Sequence, residues 1–146
     1  GYIGGSTKNP TYAAICTGTT GHAEAIQITF NPAEVAYEDL LEIFFATHDP
    51  TTLNRQGADV GTQYRSEVFY HSLAQKEKAE NYISLIENEK LYDKKVVTKV
   101  SSATVFYPAE DYHQNYYNQN SSQGYCQMVI APKLEKLRKY YKSKLK

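Results

Sequence analysis

The chain predicts a two-layer α+β sandwich, and three observations point to it. Helical and extended patterns alternate along the sequence, the helical stretches each carry one apolar stripe, and the extended stretches are short. We read residues 1–146 as a single domain, a length sufficient for a real core. Hydrophobic residues make up 41% and charged residues 22%, as in ordinary globular proteins. The formal net charge is zero, so the overall balance points to no polyanionic partner. The 14 tyrosines, with no Trp, suit half-buried packing and polar binding sites alike. No apolar run of about 18 residues and no secretory segment is visible, so no membrane partner is expected. Two cysteines, Cys16 and Cys126, are too few for a disulfide scaffold.

Residues 1–21 are rich in Gly, Thr, Ser and Asn and read as loop, with one helical turn around Tyr12–Cys16. A strand is predicted over His22–Phe30. Glu24, Ile26, Ile28 and Phe30 share one parity, which would set Glu24 on the apolar, core-facing side. Burial there would raise its carboxyl pKa and keep it neutral, making it a candidate general acid. The alternative is a strand-end Glu that reaches water. Tyr37, Leu40, Leu41, Phe44 and Phe45 repeat with helical period and predict a helix over 37–47. A second polar loop, 51–63, runs into a strand over Tyr64–Tyr70.

Residues 73–89 read as a helix with Leu73, Ala79, Tyr82, Ile83 and Ile86 inward, and Val96–Val100 as a strand near a sheet edge. Pro108-Ala109-Glu110-Asp111 opens a helix on which His113 and Tyr116 share a face. Asn118–Gly124 is a polar loop leading to Tyr125-Cys126. Pro132 starts a final amphipathic helix over 132–146, with Leu134, Leu137, Tyr141 and Leu145 on one side and a basic outer face.

Three polar stretches, Thr11–Glu24, Asn54–Arg65 and Glu110–Tyr117, together offer Tyr12, Glu24, Asp59, Tyr64, His113 and Tyr116. The strings Gly1-Tyr2-Ile3-Gly4-Gly5, Gly18-Thr19-Thr20-Gly21-His22-Ala23-Glu24, Asn54-Arg55-Gln56-Gly57, Asp59-Val60-Gly61-Thr62-Gln63-Tyr64-Arg65-Ser66 and Ala109-Glu110-Asp111-Tyr112-His113-Gln114 carry a resemblance. In this order they resemble the A-type methionine sulfoxide reductases across essentially the whole chain. The resemblance implies a ferredoxin-like core with a mixed, mainly antiparallel sheet. It also implies reduction of the S epimer of methionine sulfoxide, free or in oxidised proteins, by thiol chemistry with no metal or organic cofactor. Thioredoxin or another dithiol would be the external reductant.

By the same resemblance Glu24 is the acid that protonates the sulfoxide oxygen, and Tyr12 and Tyr64 hold that oxygen. Asp59 acts through water and Cys126 is the resolving cysteine. His113 and Tyr116, from the third polar stretch, are read as substrate-binding residues. A lone buried thiol is the alternative for Cys126, and Cys16 reads as a bystander. The family's nucleophile lies upstream in a Gly-Cys-Phe-Trp string that these 146 residues do not contain. With Gly1 at the start and Met128 as the single Met, we expect a fragment of a longer, cytoplasmic, monomeric enzyme, inactive as given. A non-catalytic sulfoxide-binding relative is the alternative. Two rival classes are a metal site at His22, Glu24 and His113, and nucleic-acid binding through the basic C-terminus; both rest on short or nonspecific patterns.

Overall fold

The computed structural model describes residues 1–145 and folds into two compact units, Gly1–Ala109 and Glu110 onward. In the first unit, β1 (Tyr2–Ile3) pairs antiparallel with β2 (Ala23–Glu24), Tyr2 opposite Glu24. Tyr2 also exchanges backbone hydrogen bonds with Tyr107, at 2.8 and 2.9 Å. A short helix, α1 (Tyr12–Cys16), lies between these strands, capped by the Thr11 hydroxyl, which accepts from the Ala14 N–H. α2 (Tyr37–Ala46) follows. A hairpin, β3 (Arg55–Gln56) and β4 (Asp59–Val60), then leads into a 3-10 turn at Thr62–Tyr64.

β5 (Glu67–Tyr70), α3 (Leu73–Asn88) and β6 (Lys99–Ser102) form a β-α-β unit whose strands pair in parallel, Glu67 opposite Lys99. The core lies between α2, α3 and this pair. Leu41, Phe45, Ala79, Ile86 and Val96 are buried in it, with Tyr37, Phe44, Tyr82 and Val100 packed around them. Each large side chain there contributes about 1.5–3 kcal/mol of burial. The α+β class and the α2 stripe stand as the sequence predicts. Among the described residues the strands form three two-stranded sheets, β1–β2 and β3–β4 antiparallel and β5–β6 parallel.

The predicted strand His22–Phe30 is corrected: its ladder ends at Glu24. Alternation alone does not make a strand; the backbone needs a partner, and β1 supplies one for only two residues. Burial follows neither parity. His22 and the adjacent Ala23 are both buried, while Ile26 is 82% exposed and Ile28 is exposed as well. Leu73, expected to face inward, is exposed at the first position of α3. The strand expected at Val96–Val100 lies later, with Val96 in the core instead.

His22 fastens the glycine-rich entry loop to β2. The Gly5 N–H donates to Nδ1 at 3.0 Å, and Nε2 lies 2.6 Å from the Thr7 carbonyl. An amide N–H only donates and a carbonyl only accepts, so the proton sits on Nε2. The ring is buried and meets Tyr107 edge-on. A Cβ on Gly5 would lie 2.4 Å from the His22 backbone nitrogen, so this approach requires glycine. With both nitrogens engaged, His22 has no free lone pair for a metal, which argues against the rival metal reading. His22→Ala leaves two unpartnered backbone groups and a cavity. We expect a loss of about 3 kcal/mol in urea denaturation. A midpoint equal to that of the parent protein would show the clamp to be dispensable.

The predicted helix from Pro108 is broken. A 3-10 turn covers Asp111–His113, and α4 (Tyr116–Asn120) starts after Asn115, whose φ is 54°. The predicted loop Asn118–Gly124 is therefore helical in its first half. A π-helical turn, Cys126–Ile130, continues directly into α5 (Ala131–Tyr140), with Pro132 in the first turn as expected. Of the predicted 132–146 helix, Leu145 lies past the end of α5 and is exposed, and Lys146 lies outside the described residues.

Candidate active site

Four of the predicted site residues come together in the first unit, each brought by a different element. Tyr12 opens α1, Glu24 ends β2, Asp59 starts β4, and Tyr64 closes the 3-10 turn. β2 packs against that turn, and so does β3 of the hairpin. The turn is held from behind by a partly buried ion pair. Arg65 Nε donates to Glu67 at 2.6 Å, a second guanidinium nitrogen donates to the Thr62 carbonyl at 2.9 Å, and the Ser101 hydroxyl donates to Glu67 at 2.7 Å. Tyr64 thus sits on backbone fixed to the β5–β6 pair rather than on a free loop.

The electrostatics show that these groups act on one another. Burial pushes the Glu24 carboxyl up, and the nearby Asp59 carboxylate pushes it further; the amino group of Gly1 opposes both. Glu24 is nevertheless exposed, so it does not lie on a core face. Tyr12 is raised to about 12. Its largest cause is a hydrogen bond to the Cys16 sulfur one turn on; the Cys16 charge, burial, Glu24 and Tyr64 add to it. Burial raises Tyr64 first, followed by the Glu24, Asp59 and Cys16 charges, against a hydrogen bond from Gln63. Two phenols that keep their protons and a carboxylic acid biased toward its neutral form therefore converge. Such a set donates hydrogen bonds and a proton to an oxygen atom placed among them.

Cys16, read as a bystander from the sequence, is hydrogen-bonded to the Tyr12 hydroxyl. One residue escaped the sequence reading. Gln63 is buried, and its Oε1 has no hydrogen-bond partner. A Cβ on Gly61 would fall 2.2 Å from that oxygen, so the φ of 149° at Gly61 and the Gln63 side chain are matched. The signal was the Gly-Thr-Gln string, whose glycine has a reason only once the side chain two residues on is seen to fold back.

His113, Tyr116 and Cys126 belong to the second unit. The His113 ring lies 4.2 Å from that of Tyr112 and 6.3 Å from that of Tyr116, whose hydroxyl donates to Gln123 at 2.9 Å. Cys126 is completely buried in the π-helical turn, not carried on a loop.

A sequence model described as peptide methionine sulfoxide reductase matches residues 1–145. The chain belongs to that family. It is 55% identical over all 146 residues to a peptide methionine sulfoxide reductase MsrA of Deinococcus radiodurans, covering 71% of that protein. Against an MsrA of Acinetobacter baumannii it is 53% identical over its full length and covers 83%. Among solved structures, reduced Mxr1 from Saccharomyces cerevisiae superposes with a TM-score of 0.80 at 35% identity, over 86% of this chain and 72% of that one. Methionine sulfoxide reductase A of Corynebacterium diphtheriae gives 0.72 at 34% identity, over 88% and 65%. Within a sulfoxide reductase family, the oxygen that the donor set awaits has an obvious source.

Proposed function

We propose that the protein reduces the S epimer of methionine sulfoxide, free or within oxidised proteins, to methionine. The observation that carries this is the raised Glu24 carboxyl gathered with two phenols that hold their protons. A sulfoxide is a poor electrophile at sulfur until its oxygen is protonated or strongly hydrogen-bonded. Tyr12 and Tyr64 donate to that oxygen as negative charge builds on it, and Glu24 delivers the proton. Asp59 supports the acid by disfavouring its ionised form and works through water.

A cysteine thiolate attacks the sulfur; oxygen passes to the cysteine as a sulfenic acid, and methionine leaves. Cys126 then condenses with the sulfenic acid, releasing water and forming a disulfide that thioredoxin or a small dithiol reduces. In this reading the attacking thiolate comes from the family's upstream Gly-Cys-Phe-Trp string. His113 and Tyr116 contribute to substrate binding. The enzyme works as a monomer in the cytoplasm, where dithiols are kept reduced. Among the described residues no helix is long and apolar enough to cross a membrane, and no cluster of three or more His, Cys, Asp or Glu could hold a metal.

The test is stereochemical. The protein expressed from its natural start is given the separated S and R epimers of N-acetylmethionine sulfoxide with dithiothreitol. Loss of the S epimer alone is expected; equal consumption of both would overturn the reading.

A further inference from the structure

Met128 is the single methionine of the chain and is 81% exposed. It lies in the π-helical turn, where the Ala131 N–H reaches back to the Cys126 carbonyl and widens the helix. Within this turn Cys126 is fully buried while Met128 projects outward, flanked by the exposed side chains of Tyr125 and Val129. So exposed a thioether adds little burial energy to the fold, and packing gives no reason for its presence. It is open to two-electron oxidants, and its sulfoxide is the group on which the proposed activity acts.

We infer that Met128 is an oxidation site of this protein and that its sulfoxide is reduced by a second copy of the same protein. The inference rests on the reductase reading above. Hydrogen peroxide transfers one oxygen atom to the thioether sulfur, which loses two electrons, and water is released. In the return step the attacking cysteine of the second copy takes the oxygen as a sulfenic acid and methionine is restored. A second thiol converts the sulfenic acid to a disulfide and water, and an external dithiol reduces the disulfide. The reducing copy is another molecule, and the exposure of Met128 leaves its sulfur open to that molecule's site. The apolar surface of Tyr125 and Val129 gives that copy a flank to hold beside the sulfoxide.

The experiment uses the 146-residue chain, which lacks the nucleophile string, as substrate. It is oxidised with peroxide, and the added oxygen is located by fragmenting the peptide that carries Met128. The protein expressed from its natural start and carrying Met128→Leu is then added with dithiothreitol, alongside N-acetylmethionine S-sulfoxide in the same tube. Peroxide yields both epimers at sulfur, so about half of the Met128 sulfoxide should disappear, and dithiothreitol alone should leave it unchanged. The inference is overturned if the Met128 sulfoxide persists while the small sulfoxide is consumed. It is equally overturned if peroxide oxidises free N-acetylmethionine but spares Met128. If neither sulfoxide is reduced, the reductase reading falls and takes this inference with it.

Discussion

Glu24→Gln, made in the active protein, will retain the fold and lower kcat by about 10²–10⁴-fold, the range lost when a positioned general acid is removed. The amide matches the carboxylic acid in shape and can still donate a hydrogen bond, but it has no proton to transfer. The pH profile supplies an independent check. The folded-state pKa of Glu24 is raised, so the acid form is depleted as pH rises through that value, and activity falls on the alkaline side. Tyr12 and Tyr64 are raised as well, Tyr12 to about 12, so they remain donors well beyond that point and do not set this limb. Glu24→Gln should abolish the limb. A substituted enzyme with the parent kcat and the same alkaline fall would remove Glu24 from the proton transfer.

Stability should move the other way. Between the ordinary and the raised pKa of Glu24 the native state holds more protons than the unfolded chain, so stability falls as pH rises through this window. Above it, the charged carboxylate is a liability of the folded state. Glu24→Gln removes that liability and should raise the urea midpoint at neutral pH while turnover collapses. A lowered midpoint would show that the carboxylate supports the fold and would undercut its assignment as a desolvated acid.

Tyr12→Phe and Tyr64→Phe should each lower kcat on the order of 10²-fold, the usual effect of deleting one donor aimed at developing negative charge. Both substitutions keep the ring and remove only the hydroxyl, so packing is preserved. The hydrogen bonds strengthen as the sulfoxide oxygen gains charge, so the loss should appear in kcat with KM little altered. A rise in KM with kcat intact would make the phenols ground-state binders. Tyr12→Phe also frees the Cys16 sulfur from its hydroxyl partner, so its reaction with iodoacetamide should change, whereas Tyr64→Phe leaves that contact in place.

The helices were legible where packing follows period. Leu41 and Phe45 are buried because the residues four apart on α2 meet one core face, and no distant partner is needed to know it. The strands were not, because a ladder depends on what lies beside it. His22–Phe30 alternates well, yet only Ala23 and Glu24 find a partner. The hairpin Arg55–Val60 hid inside a polar stretch whose only cue was Gly57, at a φ of 60°. The site was legible as a set of residue types, aided by family resemblance. Its geometry was not: alternation puts Glu24 with the apolar parity, whereas the residue is exposed and its pKa is raised by partial burial first and then by Asp59 from another element. The Gln63 fold-back likewise depends on a backbone angle at Gly61 that no side-chain pattern reports.

The sealed sulfur of Cys126 has a kinetic consequence. A thiol without water contact meets no electrophile, so exchange at that atom waits for the backbone around it to part. The frequency of that parting caps the rate at which any cross-link there can form or be undone. In the cycle proposed above, the wide helical turn of 126–130 would then keep time, and slow alkylation of Cys126 in the resting protein would read its clock directly.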